Sequence, residues 1–269
     1  MNRKCKYYLE DSNEFTWDEA ELEAFKKVII ERKLNHCMDD IFLLGFLRAR
    51  KYNRDKALKL LKNYYSARRK YTNFFTNLNP LTLENALNFN FVQFLPNPDQ
   101  DGRFIAVARI SHWHTSISAM DVARCFFLFF DFQLNYHRTQ VNGIVVIINT
   151  KDTTWKHVIQ FTPNFIVSLL DTLYDSYQIR YKEIHFVNTN RLFQAIMTIA
   201  YPLLPYKLRK RMHFHGSDMK SLHKFVNPKY LPADFDGELS IFDTTKANQI
   251  LKDNEEFFRI NEKTWNQTL

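Results

Sequence analysis

The chain has 269 residues, of which 45% are hydrophobic and 16% aromatic, so it carries enough apolar side chains for a substantial core, and this composition argues against intrinsic disorder. It has no run of about 18 apolar residues, which argues against a membrane-spanning helix, and its first residues lack the apolar stretch of a secretory signal. The 37 Lys and Arg residues exceed the 29 Asp and Glu residues, which favours an anionic partner such as phospholipid or nucleic acid.

The first 78 residues predict an all-helical unit. Thr16-Trp17-Asp18-Glu19 has the form of a capping box, with a side-chain acceptor three residues before a glutamate, and it predicts a helix that runs to about Lys33. Asp39 and Asn53 stand where two further helices are expected to begin.

Strand-like and helical segments alternate over residues 79–243. Asp101-Gly102 separates two strand-like runs and predicts a hairpin, and a helix is expected from Ser118 to about Arg138. The later segments are the strand GIVVIIN, a helix opened by Thr162-Pro163, the strand YKEIHFVN, the helix RLFQAIMTIAYPLL, the strand RMHFH and the helix SDMKSLHKFV. This order predicts an α/β fold with a mostly parallel sheet, followed by a closing helix over residues 244–269.

Sequence motifs of the common enzyme and metal sites are missing. The five glycines lie too far apart for a GxGxxG or P-loop phosphate site, and neither GxSxG nor HExxH occurs. The three cysteines form no CxxC pair and predict reduced thiols. His112/His114 and His213/His215 would each share one face of a strand, as two metal ligands do. No acidic or cysteine ligand lies nearby at a suitable spacing, so we expect hydrogen-bonding histidines, no metal or other cofactor, and no catalytic residue.

The segment Ala123–His137 is unusually rich in phenylalanine, with five in seven positions. A helix that is apolar on nearly all sides must be covered on nearly all sides. The partner that covers its second face is not evident from this segment alone.

The segment DDIFLLGFLRARKYNRDKALKLLKNYYSARRKY, residues 39–71, resembles the N-terminal helical signature of the CRAL-TRIO lipid-transfer family, in particular its branch of tocopherol-transfer and retinaldehyde-binding proteins. The resemblance continues in order through GRFIAVARISHW, TQVNGIVVIIN, HVIQFTPNF, IRYKEIHFVNTNRLF, LRKRMHFHGSDMKSLHKF and LPADFDGE, and covers roughly residues 39–240. It implies a helical N-terminal unit packed on an α/β domain whose sheet forms the floor of a hydrophobic ligand cavity.

This implied cavity, with its ligand, would cover the second face of the phenylalanine-rich helix. In tocopherol-binding members small hydroxyl residues stand where Phe126 and Phe130 stand here, so the pocket is expected to be narrower and drier. The expected lining residues are Phe126, Phe129, Phe130, Leu134, Ile148, Phe165, Leu169, Leu173, Tyr177 and Ile184. The alternative is that these residues are ordinary core.

The helix Leu192–Leu204 resembles the movable gate of this family. Pro202 weakens its last turn, and its broad apolar face consists of Phe193, Ile196, Met197, Ile199, Ala200 and Leu203. The alternative is a permanently buried helix.

A cluster of basic residues resembles the family site for a phosphoinositide head group. Arg180 and Lys182 lie two apart at the start of a strand and share a face, while Lys207 and Arg211 lie one helical turn apart. The resemblance assigns the head group to these four and to Arg50. The alternative is a solvated basic surface.

Together these features predict a cytoplasmic, monomeric carrier that binds a tocopherol-, terpenoid- or sterol-like lipid and exchanges it transiently at phosphoinositide-containing membranes. A ligand-independent regulatory or scaffold module on the same fold is the alternative. A nucleic-acid binder is disfavoured because the aromatic residues follow a buried helical pattern, and an enzyme is the least favoured class.

Overall fold

The computed structural model describes residues 15–34, 37–240 and 244–266. Its N-terminal helices are α1 (Glu19–Glu31), α2 (Asp40–Ala49), α3 (Arg54–Lys70), α4 (Thr72–Phe75) and α5 (Glu84–Leu87). The predicted caps of α2 and α3 are confirmed: Asp39 accepts from the Phe42 amide at 3.1 Å and Asn53 from the Lys56 amide at 3.0 Å. Residues 1–14, 35–36, 241–243 and 267–269, which belong to the predicted units, lie outside the described residues.

The predicted capping box at Thr16 is wrong. The N-cap of α1 is Asp18, whose carboxylate accepts from the Glu21 amide at 3.0 Å. The carbonyl of Thr16 instead accepts from the guanidinium of Arg48. An anionic cap is favoured at a helix N-terminus, because the unpaired amides there carry partial positive charge.

One sheet runs through the described residues in the order β1-β2-β3-β4-β5. β1 pairs antiparallel with β2, and every other pairing is parallel, so the predicted mostly parallel sheet is confirmed. The strands are β1 (Val92–Phe94), β2 (Phe104–Arg109), β3 (Ile144–Asn149), β4 (Tyr181–Val187) and β5 (Met212–Phe214). The predicted turn between β1 and β2 is present, with Gly102 at a φ of +69° that glycine adopts without strain.

Helices cover both faces of this sheet, as an apolar central strand requires. They are α6 (Ala119–Gln133), α7 (His137–Asn142), α8 (Trp155–Val158), α9 (Pro163–Asp175), α10 (Arg191–Leu203), α11 (Tyr206–Arg209) and α12 (Met219–His223), followed by α13 (Thr244–Asp253) and α14 (Glu255–Asn266). Val145 and Ile147 of β3 face the side of α12, where they pack with Leu222 and Phe235. Val146 and Ile148 face the opposite side.

Two predicted helices are shorter than expected, for the same reason. The helix from Ser118 ends at Gln133, because the side-chain amide of Asn135 donates to the carbonyls of Asp131 and Phe132 at 2.6 and 3.2 Å. The closing segment is two helices, not one, and at the break the amide of Asn254 donates to the carbonyl of Ile250 at 2.7 Å. Asparagine side chains compete in this way for helical backbone groups.

A buried ion pair joins the N-terminal helices to the α/β unit. The guanidinium of Arg68 on α3 donates to both carboxylate oxygens of Asp131 on α6, at 2.7 and 3.0 Å. It also donates to the hydroxyl of Tyr177 at 2.9 Å and lies 3.5 Å from the ring centre of Tyr64. Burial lowers the pKa of Arg68, but the negative charge of the adjacent Asp131 carboxylate raises it. The pKa of Arg68 is raised as a result, so the pair stays ionised.

Candidate functional site

An apolar cavity of about 280 Å³ lies between the sheet and helices α6, α9 and α10. Alternate strand residues point to one face of a sheet, and those that form the cavity floor are Ala108, Val146, Ile148, Ile184, Phe186 and Met212. The volume lies just below the roughly 300–1,000 Å³ usual for ligand pockets. It agrees with the narrow pocket expected from phenylalanine at positions 126 and 130.

The structure brings seven of the ten predicted cavity residues together around this space. They are Phe126, Phe130, Ile148, Phe165, Leu169, Leu173 and Ile184. On α6 and α9 these side chains recur at helical spacing, so each helix presents one face to the cavity.

Phe129, Leu134 and Tyr177 do not line the cavity. Phe129 is rotated away from the Phe126 and Phe130 face, and its ring centre lies 4.6 Å from that of Phe94. Leu134 is the C-cap of α6 and is buried in the main core. Tyr177 lies beyond the end of α9, where helical spacing no longer applies, and its hydroxyl accepts from Arg68.

The predicted gate helix corresponds to α10, and its inner face closes the cavity. Asn190 caps it by accepting from the Phe193 amide at 2.9 Å. The lining side chains are Phe193, Ile196, Met197 and Ala200. Ile199 and Leu203 were predicted on the same apolar face, but they do not line the cavity and are 39% and 46% exposed.

Several lining residues were missed because they lie outside periodic elements. Phe91, Trp113 and Phe161 come from irregular segments, where no hydrophobic period marks the buried side. Trp113 follows a 3-10 helix that ends at His112, so the expected strand carrying His112 and His114 is wrong. Within the described ranges, no group of three or more His, Cys, Asp and Glu side chains is arranged to hold a metal ion.

The cavity wall contains one notable polar group, the hydroxyl of Tyr181. Its oxygen is buried and has no hydrogen-bond partner among the residues that the structure describes. Burial raises the pKa of this phenol, so it stays protonated. The Trp113 indole N–H, by contrast, donates to the carbonyl of Ile117 at 2.9 Å.

Three of the predicted basic residues form a mutually repelling cluster. Burial lowers the pKa of Arg180, and the positive charge of Arg211 lowers it further. Burial also lowers the pKa of Lys182, followed by the charges of Arg180, Arg103 and Arg211. A bound anion relieves such repulsion, because each cation gains an opposite charge in place of a like one.

The arrangement of the predicted basic residues differs from the prediction at Lys207 and Arg211. Lys207 is exposed on α11, and Arg211 lies beyond the end of that helix, so the expected one-turn helical spacing does not apply. Arg50 is the C-cap of α2, which packs on α7. Arg103 was missed because it comes from the β1–β2 connection, where it pairs with Asp99 at 2.5 Å and Asp101 at 3.1 Å.

Gly143 shapes this cluster. It connects α7 to β3 with a φ of +84°, and a Cβ at this position would lie 2.4 Å from the Arg180 carbonyl oxygen and 3.0 Å from the Cγ of Lys182. The guanidinium of Arg180 donates to the Val141 carbonyl at 2.5 Å, so its side chain covers the C-terminal end of α7. The absence of a side chain at Gly143 is therefore what lets Lys182 lie across the backbone.

Comparison with known proteins identifies the fold. The model of the CRAL/TRIO domain matches residues 88–237, which is more than half of the chain. The chain belongs to the CRAL/TRIO family. Members of this family are lipid-binding transfer proteins. A second model, the Pinta-like UBA domain, matches residues 17–85 of this CRAL/TRIO protein.

Individual relatives agree with this assignment. An "Alpha-tocopherol transfer protein-like" protein of Mus musculus is 34% identical over 245 residues, covering 90% of this chain and 71% of the relative. "Clavesin-2" of Homo sapiens is 34% identical over 220 residues, covering 81% of this chain and 67% of the relative. The crystal structure of Sfh5 is similar in fold, with a TM-score of 0.51 at 11% identity, covering 86% of this chain and 92% of that one.

Proposed function

We propose that this CRAL/TRIO protein carries one small hydrophobic lipid, of tocopherol, terpenoid or sterol type, and exchanges it at membranes that contain phosphoinositides. The observation that carries the proposal is the apolar cavity beneath α10. Burying a ligand of about 20 carbons contributes on the order of 15 kcal/mol before the costs of binding. Release into water is therefore very slow, and exchange requires an apolar acceptor.

The outer surface near the cavity supports contact with a membrane. Ile199 and Leu203 on α10 are exposed, and Trp155 and Ile159 at the adjacent α8 are 64% and 69% exposed. Exposed apolar side chains beside one another are typical of protein or membrane contact sites. In the proposal, α10 moves outward at the bilayer, and the ligand passes between cavity and lipid without entering water.

The basic cluster supports the choice of an anionic lipid. Arg180 and Lys182, whose pKa values are lowered by burial and then by neighbouring positive charges, form a site where a multiply charged phosphate is favoured. The name of one relative, "Alpha-tocopherol transfer protein-like", is consistent with the proposed ligand class. The proposal places the carrier in the cytoplasm as a monomer that uses no cofactor, metal or nucleic acid and performs no catalysis.

A transfer assay between vesicles tests this proposal. The variant Lys182→Gln with Lys207→Gln removes two charges from the predicted site, and neither side chain makes a hydrogen bond to another described residue. The matched control, Lys220→Gln with Lys229→Gln, removes two charges from the α12 side of the sheet. We expect severalfold slower transfer to phosphoinositide vesicles for the first variant only, with ligand loading unchanged. Equal rates for both variants would refute the phosphoinositide assignment.

The small cavity volume favours a second candidate, the ligand-independent regulatory or scaffold module. In that case the phenylalanines at positions 126 and 130 fill the space themselves. The two candidates differ in whether the protein retains any hydrophobic molecule.

A further inference from the structure

Tyr181 begins β4 at the place where the cavity floor approaches the basic cluster. Its ring lines the cavity and packs edge-on against Phe130, with ring centres 6.3 Å apart. Its neighbours in sequence, Arg180 and Lys182, belong to the cluster outside. Tyr181 therefore belongs to the apolar wall, close to the end of the cavity nearest the charged surface, and its hydroxyl oxygen is covered by neighbouring side chains, so a ligand oxygen reaches it when the side chain turns towards the cavity.

Among the described residues, this hydroxyl oxygen is buried without a hydrogen-bond partner. Buried hydroxyl groups are normally paired, and an unpaired one costs free energy because its bonds to water are lost. A structural role would provide a partner from the protein, as Ile117 does for Trp113. A partner supplied by the ligand explains why the protein provides none.

The other polar atoms of the wall do not compete for this role. The indole N–H of Trp113 is paired within the protein, and Tyr174 is 36% exposed, at the rim. The sulfur atoms of Met197 and Met212 are only weak acceptors. A ligand with one polar oxygen can therefore pair that oxygen with the Tyr181 hydroxyl, whereas a second polar group on the ligand would be buried without a hydrogen bond.

We propose that the Tyr181 hydroxyl recognises a single oxygen of the ligand, which makes the ligand a hydrophobic alcohol, phenol or ketone and not a hydrocarbon or a lipid with a buried charge. A tyrosine hydroxyl both donates and accepts, so it binds either a hydroxyl or a carbonyl oxygen. This inference rests on the proposed function, because it assumes that the cavity holds a ligand.

The test compares pairs of ligands that differ only in one oxygen. Farnesol and geranylgeraniol are each mixed with the hydrocarbon that lacks the hydroxyl, and the bound fractions are measured by native mass spectrometry. We expect the natural protein to prefer each alcohol by roughly three- to tenfold, the usual contribution of one buried hydrogen bond. Tyr181→Phe should abolish this preference without weakening hydrocarbon binding, and the matched control Tyr174→Phe should retain it.

A second measurement is independent of the ligand. Since Tyr181→Phe removes an unpaired buried hydroxyl, the ligand-free variant should melt at a higher temperature than the natural protein. A lower melting temperature, or an alcohol preference that persists in Tyr181→Phe, would overturn the assignment. If the natural protein binds alcohol and hydrocarbon equally well, the assignment fails while the carrier function stands. If it binds neither, the carrier function itself fails.

Discussion

Replacing Asp131 by alanine leaves the guanidinium of Arg68 buried without its counter-ion. The Arg68 side chain is 1% exposed and that of Asp131 is 7% exposed. The hydroxyl of Tyr177 and the ring of Tyr64 remain next to the cation, but neither carries a negative charge. Because the pair joins α3 to α6, the cost falls on the contact between the N-terminal helices and the α/β unit.

The expected magnitude is large for one substitution. Breaking a buried ion pair from one side costs about 3–5 kcal/mol, a large share of the roughly 5–15 kcal/mol by which domains are stable. At about 2–3 °C per kcal/mol, Asp131→Ala should lower the melting temperature by roughly 6–15 °C. The double variant Arg68→Met with Asp131→Leu removes both charges and keeps apolar volume, so it should cost no more than about 1 kcal/mol.

Urea unfolding of the natural protein, Asp131→Leu, Arg68→Met and the double variant forms a double-mutant cycle for this pair, and Asp131→Ala is measured beside them. Asp131→Ala should be markedly less stable than the double variant, since only the single variant leaves a buried unpaired charge. If the free energy of unfolding falls further in the double variant, and the two single effects add, the ion pair is not coupled and the account of the interface is wrong.

Three further predictions follow from the described contacts. Gly143→Ala should lower the free energy of unfolding by about 2–5 kcal/mol, because the new Cβ would meet the Arg180 carbonyl. The control Gly216→Ala, at a φ of +57° with open space around it, should lower it by about 1 kcal/mol. Equal losses in urea unfolding would show that the contact with Arg180 is unimportant. Burial, and then the neighbouring imidazoles, lower the pKa of His185 to about 3 from 6.5, so its contribution to stability is complete above pH 6.5 and is lost as the pH falls towards 3. His185→Asn should therefore reduce the dependence of the unfolding free energy on pH in that window by about 1.4 kcal/mol per pH unit. An unchanged dependence would contradict the burial of His185. Phe130→Ala should enlarge the cavity and shift the preference of the protein towards bulkier lipids in a competition assay, and unchanged selectivity would mean that Phe130 does not limit the pocket.

Much of the fold was predictable because its signals are local. Asp39 and Asn53 were assigned as caps from residue type and position, and the structure confirms both. The apolar run of β3 indicated a strand covered on both faces, and it lies in the middle of the sheet. The helix breaks at Asn135 and Asn254 were missed, since the same residue type is also found inside helices and the deciding hydrogen bonds depend on side-chain direction.

The cavity residues were predictable only where hydrophobic side chains recur at helical spacing within one helix. Phe165, Leu169 and Leu173 lie on one face of α9 and line the cavity, but Tyr177 follows the helix end and points to Arg68. Hydrophobic spacing also does not separate an inward side chain from an outward one at the edge of an apolar face. Ile199 was therefore assigned to the apolar face of the gate helix, although its side chain is exposed.

The contribution of Arg103 to the basic cluster had no sequence signal. It approaches Lys182 only because β2 and β4 both lie next to β3. Proximity of this kind comes from sheet order and not from spacing along the chain.

The most direct test of the central claim is native mass spectrometry of the protein purified without detergent, followed by solvent extraction and identification of the released molecule. The carrier account predicts one hydrophobic molecule per chain, with a single hydroxyl or carbonyl oxygen. A protein that carries none, and whose mass no tocopherol, terpenoid or sterol shifts, would contradict the account and favour the ligand-independent module.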